Sequence, residues 1–206
     1  MVRQDPSVVH SEAGLRALLA DATCEAPSGL ELEVTEYGLG LFATRAFDAG
    51  EVIYRSGWFT VEDTEHRFVT TVVSANGARE VEITTLHSVR FNGNRIFDIP
   101  GCFMNHDCRG NSVPRYADDD PHTYEEIATA PIAAGEQITC NYLLFDWECD
   151  GHTFTCACGQ PECFGEIRGF AHLSPEQQEY LAPHITDEVL LRWQDARQQG
   201  LGRVLS

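Results

Sequence analysis

The chain contains no lysine. Its 14 basic side chains are all arginine, set against 32 aspartates and glutamates, for a formal net charge of −18. That balance excludes a protein built to grip nucleic acid directly, because neutralising phosphates needs a clustered basic face. It favours a basic protein or peptide as partner, and solubility in general. Lysine's absence leaves no side-chain ammonium to modify, although codon bias is the plainer reason for it. No apolar run approaches the ~20 residues that cross a bilayer, so no membrane partner is expected. Met1 to Pro6 lacks the apolar stretch of a secretory signal. A cytoplasmic or nuclear protein with reduced thiols is therefore predicted. Monomer and homodimer are both compatible with the sequence.

What is present suits one globular domain with additions. The 206 residues are 43% hydrophobic and 22% charged, enough to bury a core without disulfides. Eight cysteines in a reducing compartment point to metal before disulfides.

Ser11 reads as an N-cap for a short helix over residues 12–21, with Leu15, Leu18 and Leu19 on one face. Leu30, Leu32 and Val34 alternate with Glu31, Glu33 and Thr35, a half-buried strand. Gly38-Leu39-Gly40 permits a tight turn and close backbone approach, but a dinucleotide fingerprint needs a third glycine and a following helix. Thr44 to Ile53 resembles Thr129 to Ile138; each reads as strand, Ala-Gly turn, strand, and two similar β units folded against each other are expected. Between them, residues 57–98 read as a β-rich insertion with hairpins at Asn76-Gly77 and Asn92-Gly93-Asn94. His66 and His87 are single histidines that read as structural, and Asp118 to Pro121 reads as a solvated loop.

Cys156, Cys158 and Cys163 fall within eight residues, with Gly159 and Pro161 bending the chain between them. Three thiolates so spaced can converge on a tetrahedral Zn²⁺ at about 2.3 Å. A structural zinc takes four ligands, so the fourth must come from Cys108, Cys149 or elsewhere. The tail is helical. Ser174-Pro175-Glu176-Gln177 forms a capping box, Pro183 interrupts, Thr186 restarts a helix, and Gly200 marks its end. Val189, Leu190 and Trp193 give that helix one apolar face.

Four pieces then line up in one order. They are Gly38-Leu39-Gly40-Leu41-Phe42-Ala43, Phe103-Met104-Asn105-His106-Asp107-Cys108-Arg109-Gly110-Asn111, Gly135-Glu136-Gln137-Ile138-Thr139-Cys140-Asn141-Tyr142, and Cys156 to Gly165. Together they resemble the SET-domain protein-lysine methyltransferases that carry a post-SET zinc-binding segment. The resemblance spans about residues 30–170.

It implies a mainly β SET fold: small curved sheets, a threaded C-terminal segment, a post-SET zinc site, and short helices at both ends. Residues 1–29 would be an N-terminal helical extension, 30–148 the SET domain, 149–170 the post-SET segment and 171–206 a C-terminal helical extension. S-adenosylmethionine would be bound by Gly38, Leu39, Gly40, Phe103, Asn105, His106, Tyr142, Phe164 and Ile167. Zinc would be held by Cys108, Cys156, Cys158 and Cys163. Tyr142 would be catalytic, and Cys140 with Tyr142 would line the substrate pocket. The smaller Cys140, where the family has tyrosine or phenylalanine, leans toward di- or trimethylation. Asp107 stands in place of the family's serine and Asn141 in place of its aspartate. No cysteine-rich segment precedes residue 30, so the substrate could be a non-histone protein, a peptide or a small amine. A non-catalytic SET-fold zinc-binding interaction module, or a redox sensor using the spare thiols, is the alternative.

Overall fold

The computed structural model describes residues 23–24, 28–35, 38–62, 67–74, 77–91, 94–116 and 123–204. The helix expected over 12–21, His66, the Asn76 and Asn92-Gly93 turn residues and the 118–121 loop lie outside them. Two compact units form: residues 1–106 with 110–140, and residues 107–109 with 141–206.

The first unit is all β among its described residues, apart from short 3-10 turns. Its strands are β1 (Thr23–Cys24), β2 (Leu30–Thr35), β3 (Gly38–Ala43), β4 (Val52–Glu62), β5 (Arg67–Ser74), β6 (Gly77–Thr84), β7 (Val89–Phe91), β8 (Asn94–Asp98), β9 (Asn105–His106), β10 (Ser112–Tyr116), β11 (Thr123–Ala128) and β12 (Gln137–Cys140). They form sheets of order β1-β5-β6, β10-β11-β4-β8-β7 and β2-β3-β12-β9. The alternation in β2 is obeyed: Leu30 and Leu32 are buried.

The two similar segments pair across a local two-fold. Phe47 and Ile132, both buried, exchange backbone bonds of 2.9 and 3.0 Å. Gly50 N–H donates to Ala128 and Gly135 N–H to Ala43. Each copy turns at its glycine, with φ of 84° at Gly50 and 83° at Gly135, a conformation that suits glycine. Each turn is capped alike, by Glu51 accepting from Asp48 N and Glu136 from Ala133 N, both at 2.9 Å.

His87 is structural. It ends the 3-10 turn Thr85–His87, its Nδ1 accepts from Thr84 N at 3.1 Å, and its ring meets Phe103 edge-on. Burial pulls its pKa down.

The second unit holds β13 (Phe154–Thr155), paired antiparallel with β14 (Glu166–Ile167), and helices α1 (Pro175–Leu181) and α2 (Asp187–Val204). The capping box forms as expected: Ser174 Oγ accepts from Gln177 N and Gln177 Oε1 from Ser174 N. Pro183 sits in a 3-10 turn between the helices. Gly200 does not end α2, which continues to Val204; one exposed glycine costs only about 1 kcal/mol. Leu143, Cys149, Ile167, Phe170, Leu181, Val189 and Trp193 share one core. This core runs across the boundaries expected after 148 and 170. Gly169, at φ 97°, lies against the Trp147 carbonyl and the Glu148 backbone, where a Cβ would clash at 2.5–2.6 Å. Among the described residues no helix is long and apolar enough to cross a membrane.

Candidate functional site

In the first unit, three of the separated motif pieces meet in one sheet. β9 runs parallel to β12, with Asn105 opposite Thr139 and His106 opposite Cys140. β12 in turn pairs antiparallel with β3 through Gln137–Phe42 and Ile138–Leu41. The Asn105 side-chain amide donates to the Leu39 carbonyl at 3.1 Å. Gly40 is buried, and a Cβ there would lie 2.5 Å from Gln137 Nε2 and 2.9 Å from the Phe42 ring, so only glycine fits without displacement. Gly38, at φ 111°, supplies the left-handed residue that begins the strand.

Phe103 is enclosed in the core against His87. Cys140 is buried as well, and burial, with Glu126 and Asp98 nearby, pushes its thiol well up. Asn111, to which the sequence reading gave no role, laces β12 in place. Its Oδ1 accepts from Thr139 N at 2.9 Å and its Nδ2 donates to the Gln137 carbonyl at 2.9 Å.

In the second unit, the sulfurs of Cys108, Cys156, Cys158 and Cys163 all lie within 4.8 Å of one another. Cys108 Sγ is 3.6 Å from Cys156 Sγ and 3.8 Å from Cys163 Sγ. Four thiolates at about 2.3 Å from a tetrahedral ion stand about 3.8 Å apart, so this spacing fits zinc. It is far too long for a disulfide, and all four thiols are free. The backbone N–H of Phe164 donates to Cys108 Sγ, that of Cys158 to Cys156 Sγ and that of Gly165 to Cys163 Sγ, each at 3.4 Å. Such donors favour thiolate. Burial pushes the Cys108 thiol far up and Cys156 to about 11; a bound cation lets such thiols ionise together. The thiol brought beside the other three is thus that of Cys108. Cys149 lies in the apolar core at φ 47°, with burial pushing its thiol to about 12.

Asp107 is satisfied locally: its Oδ1 accepts from Arg109 N at 2.7 Å, an Asx turn that brings Cys108 round. Asn141 does two things at once. Its Oδ1 accepts from Leu143 N at 3.0 Å, capping the 3-10 turn Tyr142–Leu144, and its Nδ2 donates to the Cys108 carbonyl at 3.0 Å. An ionised aspartate can make only the first bond. Tyr142 opens that turn, partly exposed, with the rings of Phe145 and Phe154 at 5.7 and 6.2 Å. Phe164 is partly buried beside Cys108, and Ile167 is wholly enclosed in the core.

The SET domain model matches residues 38–143, and the chain belongs to the SET-domain family, whose members are methyltransferases. A crystal structure of a Plasmodium falciparum protein, a candidate histone methyltransferase, is similar at 13% identity and a TM-score of 0.40, over 57% of this chain and 95% of that one. No match to a curated protein was found.

Proposed function

We propose that the chain transfers a methyl group from S-adenosylmethionine to a lysine amine of a basic protein or peptide. The observation that carries the reading is the Asn105–Leu39 hydrogen bond within the β3-β12-β9 sheet. It joins two separated motif pieces, and β12 brings the third beside them.

When bound, S-adenosylmethionine supplies an electrophilic methyl on a sulfonium. The residues proposed to hold it are Leu39 and Gly40, through their backbone, with Asn105 and His106. Gly40 lets Gln137 and Phe42 pack closely on β3, which would hold these backbone groups in place. The Tyr142 hydroxyl is the group proposed to orient the incoming amine, by accepting a hydrogen bond from it. The Phe145 and Phe154 rings flank Tyr142 and would give the amine an apolar neighbour. Displacement requires that amine to be neutral. No separate base is needed, and positioning supplies much of the barrier reduction. The four thiols are proposed to hold a structural zinc, a closed site with no open coordination position. The acidic balance of −18 supports a basic substrate.

Equilibrium binding tests the assignment of the cofactor residues. S-adenosylmethionine is expected to bind the wild type and to bind Asn105→Ala at least tenfold more weakly, the cost of about one buried hydrogen bond. Equal binding by both removes Asn105 from the site, and no binding to either refutes the cofactor.

A further inference from the structure

The segment that delivers Asn105 and His106 is held at both ends by hydroxyl groups to which the proposed reaction gives no role. In the five-stranded sheet Tyr124 pairs with Ser56, Glu126 with Tyr54, and Asp98 with Trp58. Alternation therefore puts positions 54, 56, 98 and 124 on one face and 55, 115 and 125 on the other. The odd-numbered face carries an exposed ion-pair ladder in which Glu125 meets both Arg55 and Arg115. The even-numbered face is the inner one: Tyr54 and Tyr124 are buried there, with their rings edge-on at 6.1 Å.

Asp98 closes β8, and the chain runs from it through the 3-10 turn Gly101–Phe103 to β9. At the start of this run the Asp98 carboxyl accepts from the Tyr124 hydroxyl at one oxygen and from Ser56 Oγ, at 2.6 Å, at the other. Ser56 Oγ also lies 2.8 Å from the Ile99 carbonyl. The turn is drawn tight against the carboxyl: a Cβ on Gly101 would overlap Asp98 Oδ2 and lie 2.8 Å from the Tyr124 hydroxyl oxygen. At the end of the run Met104 is buried, its Sδ 3.9 Å from the Tyr54 hydroxyl and 3.7 Å from Ser112 Oγ. Ser112 Oγ is in turn 3.1 Å from the Thr139 carbonyl of β12.

One bond joins the two ends. The hydroxyls of Tyr54 and Tyr124 are 3.2 Å apart. A phenol has a single proton to give. Tyr124 gives its proton to Asp98, so its oxygen is the acceptor for Tyr54. Tyr124 is thus the donor that fixes the start of the run and the acceptor that fixes Tyr54, whose hydroxyl meets the end.

We propose that Tyr124 is a positioning residue: through Asp98 and Tyr54 it fixes both ends of the 98–104 run and so sets where β9 presents Asn105 and His106. The effect is geometric. A hydrogen bond weakens steeply with misalignment, and the Asn105 side chain makes one to the Leu39 carbonyl at 3.1 Å. No charge on Asp98 is needed. An asparagine there accepts from Tyr124 through Oδ1 and donates to Ser56 Oγ through Nδ2, and the serine proton goes to the Ile99 carbonyl. An alanine leaves the Tyr124 and Ser56 hydroxyls without that acceptor.

The functional consequence rests on Asn105 and His106 holding the cofactor, but the structural readout does not. The side-chain amide resonances of Asn105 are followed by NMR in the wild type, Tyr124→Phe, Tyr54→Phe, Asp98→Asn and Asp98→Ala. Val189→Ala, which hollows the core beneath α2, is the control for lost stability. S-adenosylmethionine affinity is measured for each, and for Tyr124→Phe in an Asn105→Ala background. The Asn105 amide is expected to move toward the position of a free asparagine amide in Tyr124→Phe and Asp98→Ala, and less far in Tyr54→Phe. It should stay in place in Asp98→Asn and Val189→Ala. Affinity should fall about tenfold in Tyr124→Phe, for one misplaced hydrogen bond, but less than about threefold where Asn105 is already alanine. An amide unmoved in both tyrosine variants, or moved equally in Val189→Ala, overturns the proposal. So does an affinity loss that multiplies in full with that of Asn105→Ala, or an Asp98→Asn that behaves as Asp98→Ala. An amide that moves as expected in a chain that binds no cofactor supports the positioning role and counts against the cofactor assignment. If Tyr124→Phe and Asp98→Ala do not fold, the contrast between Tyr54→Phe and Asp98→Asn decides the matter.

Discussion

Replacing Asn141 by aspartate removes one atom's donors and almost nothing else. The change keeps the acceptor that caps Leu143 N, at 3.0 Å, and deletes the Nδ2 donor that satisfies the Cys108 carbonyl, also at 3.0 Å. Asn141 is buried, 5% exposed, so the stranded carbonyl cannot simply turn to water. Leaving a buried acceptor unpaired costs about 1–3 kcal/mol, and a carboxylate facing that carbonyl adds repulsion. A loss of about 2 kcal/mol, some thirtyfold in the folded-to-unfolded ratio, is expected at pH 7.5. The pH dependence gives the sharper test. The new carboxyl is buried against an acceptor, so its folded pKa is raised above its unfolded value; stability is therefore lost as pH rises. Below its folded pKa it regains an O–H donor and the deficit shrinks. Urea midpoints of wild type and Asn141→Asp at pH 5 and 7.5, with zinc present, measure both. Equal stability at pH 7.5, or a deficit that grows on acidification, refutes the assigned role of this amide.

Gly40→Ala should cost about 1–3 kcal/mol through overpacking against Gln137, Phe42 and Thr35, read from the denaturation midpoint, and an unchanged midpoint would deny the close approach. Purified wild type should carry one zinc per chain by elemental analysis; Cys108→Ser should lose it and Cys149→Ser should keep it, and the reverse pattern would dismiss the thiol set. Asp98 and Glu126 are raised by burial to about 6 and about 8 from 3.8 and 4.5. The folded state binds more protons than the unfolded one between those values, so their contribution is fully present below about pH 4 and is lost as pH rises through 8. The urea midpoint should show that decline, and Glu126→Gln should remove its upper part; a flat wild-type profile would contradict the buried-acid reading.

Local chemistry was legible where it repeats or punctuates. The matched Ala-Gly turns at Gly50 and Gly135 were visible as a sequence echo because both turns need glycine and both are capped by the next glutamate. The capping box at Ser174 was visible for the same reason: its bonds are local. Spacing alone brought Cys156, Cys158 and Cys163 together but left the fourth thiol open, since Cys108 arrives from 48 residues away. Glu126 was invisible. In Tyr124-Glu125-Glu126 two glutamates look like a solvated pair, and only the strand register puts one in an ion-pair ladder and the other in the core. Asn141 looked like a loss of charge; its reason is a carbonyl 33 residues earlier. Gly200 misled because a glycine near the end of a helical pattern reads as a stop, whereas α2 runs on to Val204.

The most direct test of the account is methyl transfer itself. Full-length wild type and Tyr142→Phe are incubated with S-adenosylmethionine labelled in its methyl group and a panel of lysine-containing basic proteins and peptides, each paired with a version in which arginine replaces lysine. Label is predicted on lysine-containing substrates only, and a loss of about 100-fold or more in kcat is predicted for Tyr142→Phe with S-adenosylmethionine binding retained. Transfer that is equal in both enzymes, or that persists on the lysine-free substrates, would contradict the account.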